Sequence, residues 1–226
     1  MKKIVFLTLL ISSIASSQNI GNAKDQTSVH MAGGSYRNPY TIKNKPKGSP
    51  YFQEAFAAAN VASTPGKVFM RYNIFNDEFE FIASKGDTLV LDKIEDFSNI
   101  TFPGLGKNYK LTSYTDRKNK LAYGYLIEVF KKGDLALYKK ENINFVEEKP
   151  AKTSLEVTMP ARFSKGEDTF YLQNKNLVTE FPDGKKALAK LFPEKKANIE
   201  NFLKENKISF DSEADLIKII DFLATP

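Results

Sequence analysis

The sequence predicts an α+β fold: an antiparallel β-meander, forming a twisted sheet or partly closed barrel over residues 48–181, followed by a small C-terminal helical segment over 182–226. Three observations carry that prediction. Residues 67–83, KVFMRYNIFNDEFEFIA, alternate apolar and polar on both sides of an Asn-Asp pair, as a β-hairpin does. Further short runs of the same period follow, closed by Gly, Asn or Asp. Beyond Pro182-Asp183-Gly184 the apolar spacing lengthens to three and four, the period of helices.

In the hairpin, Val68, Met70, Tyr72 and Ile74 share one face of the first strand, and Phe79 and Phe81 one face of the second. Asn76 and Asp77 both tolerate positive φ, so a two-residue turn is expected there. That turn sets Ile74 opposite Phe79, Tyr72 opposite Phe81 and Met70 opposite Ala83, with Asn73 facing Glu80 and Arg71 diagonal to it. Burial of the apolar face, at about 25 cal/mol per Å², holds the register, because a one-residue slip turns every ring to solvent.

At 226 residues the chain can form one or two domains whose core needs no staples. Its 18 Phe and 10 Tyr suit strands. The absence of Cys excludes disulfides, zinc-thiolate sites, thiol catalysis and redox chemistry. Residues 1–17 read as a signal peptide: Lys2-Lys3 precede an apolar run too short to span a bilayer, and Ala15-Ser16-Ser17 fits a cleavage site after Ser17. Removing Lys2 and Lys3 lowers the net charge from +6 to +4, and the other lysines are spread through the chain. A solvated surface explains that distribution better than a nucleic-acid interface.

Residues 18–47 are small and polar and read as a flexible leader. Phe52, Phe56 and the alanines at 55 and 57–59 suit a short helix or an irregular packed segment. After the hairpin, strands are expected at 88–91 and 100–102, and a second hairpin at 107–114 and 121–130. Its return strand carries Leu121, Tyr123, Tyr125, Ile127 and Val129 on one face. The other face is also partly apolar, which marks a central strand. Another strand follows at 135–139. Residues 141–166, rich in Lys and Glu with Pro150 and Pro160, read as a long edge connection or flap. A last short hairpin spans 168–173 and 177–181. Of the three closing helices, the first carries Ala187, Leu188, Leu191 and Phe192. The second starts at Pro193 and buries Ile199, Phe202 and Leu203. The third is capped by Ser212, with Asp215 in the place of the capping-box glutamate. The pattern leaves open whether the helices cover a sheet face or form a lobe of their own.

GSPYF at 48–52, KVFMRYNIFNDEFEF at 67–81, and the tail KKALAKLFPEKKANIENFLKENKISF with EADLIKIIDFL together resemble a group of uncharacterised exported proteins of Bacteroidota. The resemblance covers roughly residues 48–223. It implies export and a β-then-α layout, and it brings no catalytic residue or ligand with it.

No catalytic residue, metal ligand or cofactor is assigned from the residues. His30, the only histidine, lies in the leader, away from a scaffold that would hold it in a Ser-His-Asp relay. Asp77, Glu78 and Glu80 lack the patterned loop of a calcium site, and Gly104-Leu105-Gly106-Lys107 lacks phosphate-loop spacing. Tyr109, Tyr114, Tyr123, Tyr125 and Tyr138 can stack on sugars or bases, but alternation turns several of them to the core. The candidate binding residues are Arg71, Asn73 and Glu80, on the polar face of the hairpin. Either they anchor a ligand or partner, or they form a cross-strand pair worth under about 1 kcal/mol if exposed.

The expected function is an exported, non-catalytic binding or interaction module of the cell envelope, periplasmic or extracellular. Its partner is an envelope or extracellular protein or ligand, with no nucleic acid and no membrane span. The alternatives are a carboxylate-based secreted hydrolase, marked by a cleft with two acids in unlike surroundings, and a lipid or small-ligand carrier, marked by an apolar cavity in the sheet.

Overall fold

The computed structural model describes residues 46–83 and 86–225. The signal segment, His30 and the leader up to residue 45 lie outside them. The strands are β1 Ala57–Val61, β2 Lys67–Asn73, β3 Glu78–Ile82, β4 Thr88–Val90, β5 Asn99–Phe102, β6 Lys107–Thr115, β7 Leu121–Lys132, β8 Leu135–Lys140, β9 Ile143–Val146, β10 Arg162–Lys165, β11 Thr169–Asn174 and β12 Leu177–Glu180. Helices α1 Lys185–Leu191, α2 Lys196–Glu205 and α3 Glu213–Ala224 follow, with a 3-10 turn at Pro193–Lys195 leading into α2.

Ten strands form one sheet in the order β12-β11-β8-β7-β6-β5-β1-β2-β3-β4, and β12 also meets β6 in parallel at Thr179 and Thr115. That contact closes β6, β7, β8, β11 and β12 into a barrel-like unit of five strands, from which β5, β1, β2, β3 and β4 continue. The path is not one continuous meander. β2-β3-β4 and β6-β7-β8 are meanders, but β1 slots between β2 and β5. β9 and β10 leave the sheet as a two-stranded ribbon, found where a long connection was expected.

The alanines at 57–59 form a strand despite their helix propensity. β1 is hydrogen-bonded on both flanks, to Val68, Phe69 and Met70 on one side and to Ile100 and Thr101 on the other, and tertiary pairing overrides a weak local preference.

The β2–β3 register differs from the expected one by two residues: Met70 faces Phe81, Arg71 faces Glu80, Tyr72 faces Phe79 and Asn73 faces Glu78. The loop has four residues, 74–77, with Asp77 at φ 56°. Ile74 N–H is spent on Pro50 O at 2.9 Å, and Asn73 Oδ1 accepts the Asn76 N–H at 3.1 Å, so pairing stops at Asn73. A slip of two keeps each side chain on its expected face.

β7 is central, with Tyr125, Leu126 and Ile127 all buried. A bulge between Glu128 and Phe130 shifts the strand's phase, and Val129 and Phe130 pack toward the helices. Leu121 and Tyr123, expected on a buried face, are 69% and 49% exposed. β8 flanks β7 only from Ile127 onward.

Three apolar clusters result. Met70, Tyr72, Phe79, Ile100 and Tyr125 pack between the N-terminal strands and β6–β7, while Leu126, Ala136, Tyr138, Tyr171 and Val178 fill the barrel. The helices settle the open alternative by packing Leu188, Ile199, Leu216 and Ile220 on Leu135, Leu137 and Leu172. Ser212 caps α3 by accepting the Asp215 N–H, while Asp215 Oδ2 turns to Ser209 N–H instead of closing the capping box. Lys195 Nζ donates to the Leu223 and Thr225 carbonyls at the far end of α3. No helix among the described residues is long and apolar enough to cross a membrane.

Candidate functional site

Arg71, Asn73 and Glu80 come together on one face of the β2–β3 hairpin, but beneath a strap formed by residues 46–56. Glu80 is 4% exposed and Asn73 is fully buried. Arg71 reaches Glu80 Oε2 through Nε at 2.8 Å and Nη2 at 2.7 Å, and donates from Nη1 to Glu54 O. Its guanidinium lies over the rings of Tyr51 and Phe56, 4.0 and 4.6 Å from their centroids. Tyr51 OH donates to Glu80 at 2.9 Å, and Asn73 Nδ2 lies 3.4 Å from the same carboxylate. The strap itself starts at Lys47, which was assigned to the leader but is already pinned to the ribbon. Its N–H donates to Ala161 O, and its carbonyl accepts from Phe163 N–H. The trio therefore fastens the strap to the sheet with its polar groups engaged inside the chain.

A second polar cluster gathers around Asp77. Its carboxylate accepts from Tyr72 OH at 2.5 Å, Tyr125 N–H at 3.2 Å, Lys140 Nζ at 3.1 Å and Lys93 Nζ at 2.6 Å. The Tyr125 N–H is available because β8 has already parted from β7 at that level. Burial, reinforced by the Asp77 charge, raises the Tyr72 phenol well above its usual range and pushes Tyr114 up to about 12. This cluster ties the hairpin turn to the barrel wall. The dismissed glycine-rich stretch has a similar part: Gly106 ends a 3-10 turn at φ 61°, and Lys107 pairs with Glu141 at 2.7 Å.

The geometry that remains open to a ligand is elsewhere. Where β12 closes against β6, a cleft of about 710 Å³ lies between the β10–β11 turn, the end of β12 and the α2–α3 connection. Gly166 brings that turn close, packing on Asn142 and donating its N–H to Asn142 O at 2.8 Å. Six carboxylates line the cleft, from Glu167, Asp168, Glu180, Asp183, Asp211 and Glu213, against two cations, Arg117 and Lys165. Phe170, Phe181 and Phe210 supply apolar wall. Arg117 grips Glu180 at 2.8 Å and reaches Asp183 at 3.8 Å, and Lys139 holds Glu213 at 2.7 Å. Asp168 Oδ1 is shielded from solvent with no hydrogen-bond partner among the described residues. Burying a carboxylate oxygen without a donor is costly, so this atom is a natural seat for one.

None of these lining residues was a sequence candidate. They come from positions 117 to 213, and no local spacing connects them. Asp168 carried the one faint signal, as the polar residue opening the last hairpin. Among the described residues, no group of three or more acidic or histidine side chains is arranged to hold a metal ion. No family model, no curated protein and no solved structure matches the chain.

Proposed function

We propose that the chain is an exported, non-catalytic binding module whose cleft beside the barrel seam receives a cationic organic ligand, such as a lysine- or arginine-bearing peptide. One observation carries the reading: six carboxylates face two cations in a cleft that belongs to a chain of net charge +6. The local field is therefore opposite in sign to that of the whole. It would concentrate amine or guanidinium groups in the cleft, and the aromatic walls suit their alkyl stems. Export rests on the N-terminal pattern of residues 1–17 and on the resemblance to exported proteins of Bacteroidota. The antiparallel layout, closed at one seam, gives the cleft rigid walls.

The test is calorimetric titration with an oligolysine peptide and a neutral Gly-Ser peptide of equal length. Saturable, salt-weakened binding of oligolysine alone is expected, with at least a tenfold loss in Asp168→Asn/Asp211→Asn. Equal binding of both peptides, or of neither, overturns the reading. A second reading, a two-carboxylate hydrolase, is favoured by the unlike surroundings of Asp168, with its unpartnered buried oxygen, and Glu180, held by Arg117. Turnover of an oligosaccharide substrate, lost in Glu180→Gln, would decide for it.

A further inference from the structure

Residues 36–45, YRNPYTIKNK, carry Arg37, Lys43 and Lys45 and no acid. They lie outside the described residues, but the chain that follows them is fixed. Lys47 runs parallel to Arg162 at the start of β10, its N–H donating to Ala161 O and its carbonyl accepting from Phe163 N–H. β10 ends at Lys165, and that residue with Gly166, Glu167 and Asp168 forms one wall of the acidic cleft. From Ala161 to Lys165 is four extended residues, about 13 Å. Arg37 stands ten residues upstream of Lys47, and ten residues span up to about 33 Å. That is enough chain to turn back from the pinning point and enter the cleft.

The charges match. Six carboxylates line the cleft, answered by Arg117, Lys165 and the Lys139 that pairs with Glu213, which leaves a surplus of three negative charges. Asp215, the next acid beyond Glu213, is matched by Lys218 and adds nothing to that surplus. Glu167, Asp168 and Asp211 line the cleft with no ion-pair partner among the described residues. Three cations without an acid are the complement of three such carboxylates. Tyr36 and Tyr40 flank Arg37 in the sequence, and Phe170, Phe181 and Phe210 offer them ring surface.

We propose that residues 36–45 occupy the cleft of their own chain, Arg37 lying among Glu167, Asp168 and Asp211, and so act as a tethered competitor for an external cationic ligand. This rests on the reading of the cleft as a cation site. A short tether presents its end at an effective concentration on the order of millimolar, so at micromolar protein the chain's own segment outcompetes that of a second copy. An external peptide must displace it to bind.

Two measurements on the mature chain test this. Because the chain has no Cys, Ser35→Cys takes a single nitroxide label beside the segment. The label should broaden the amide signals of Gly166, Glu167 and Asp211 more than those of Glu147 and Glu148, which lie nearer the pinning point, and high salt should reverse the effect. Broadening strongest at Glu147 and Glu148, or seen only between labelled and unlabelled copies, overturns the proposal. In the second measurement, Arg37→Ser/Lys43→Ser should bind oligolysine roughly tenfold more tightly than the parent, because the competitor is lost. Equal affinities overturn the proposal and leave the cleft's external ligand standing. Broadening at the cleft in a chain whose variant still fails to bind oligolysine supports the tethered segment and sinks the external ligand alone.

Discussion

The Asp77 carboxylate rests against the bare Cα of Gly124, so that a methyl group there would overlap Asp77 Oδ2. From a turn residue at φ 56°, Asp77 reaches across to β7 and holds the hairpin against the barrel. Gly124→Ala is expected to destabilise the protein by about 1–3 kcal/mol through overpacking, measured by urea denaturation. In an Asp77→Ala background the same substitution should be much less damaging. Equal losses in the two backgrounds would show that Asp77 is not the obstacle.

Arg71→Ala removes the cation that serves a carboxylate only 4% exposed, and it also removes the plate between Tyr51 and Phe56. Losing one partner of such a pair costs about 3 kcal/mol, at the lower end for buried pairs because Arg71 itself keeps 21% exposure. Limited proteolysis should then cut within residues 46–56 well before the body of the protein. A strap that resists protease as in the parent chain would sink the assignment of Arg71 as its fastener.

Alkaline pH should unfold the protein. Tyr114 is pushed up to about 12, mainly by burial and then by Asp77, while in the unfolded chain it ionises near 10. The unfolded state therefore releases this proton first. The associated stability is intact below pH 10 and is lost as pH rises from there through about 12. Tyr72, held well above its ordinary range by burial and then by Asp77, acts in the same direction. Ultraviolet tyrosinate absorbance should show the buried phenols titrating together with loss of circular dichroism. Smooth titration with an unchanged fold would contradict this.

Ser212→Ala should lower stability by about 1 kcal/mol, because Ser212 Oγ accepts the Asp215 N–H at the start of α3. Ser212→Asp should restore most of it. Hydrogen exchange in the first turn of α3 reports the effect directly, and protection unchanged in the alanine variant would rule the cap out.

The strands and helices were largely legible in the sequence because they follow from local periodicity. The hairpin faces, the central strand, the capped third helix and Pro193 at the entry to α2 all follow from spacings of two or of three to four. The misjudged segments are those in which a distant partner outweighs a local preference. Ala57 to Ala59 became a strand between β2 and β5. The hairpin slipped by two because Pro50 takes the Ile74 N–H, and Leu121 and Tyr123 lie exposed on the stretch of β7 that β8 does not flank. The candidate trio Arg71, Asn73 and Glu80 was found as a cluster, but its occupant, the strap with Tyr51, lies some twenty residues upstream and has no period to betray it.

By itself the sequence determined the apolar face of the β2–β3 hairpin, the cap that starts α3, and that cysteine chemistry is absent, since these depend on residue type and on neighbours within a few positions. Only the tertiary structure decided that β12 meets β6, that the helices cover the sheet, that Asp77 needs a glycine at 124, and that six carboxylates converge beside the barrel seam. Those features depend on contacts between residues tens of positions apart, which burial and hydrogen bonding select only once the whole chain has packed.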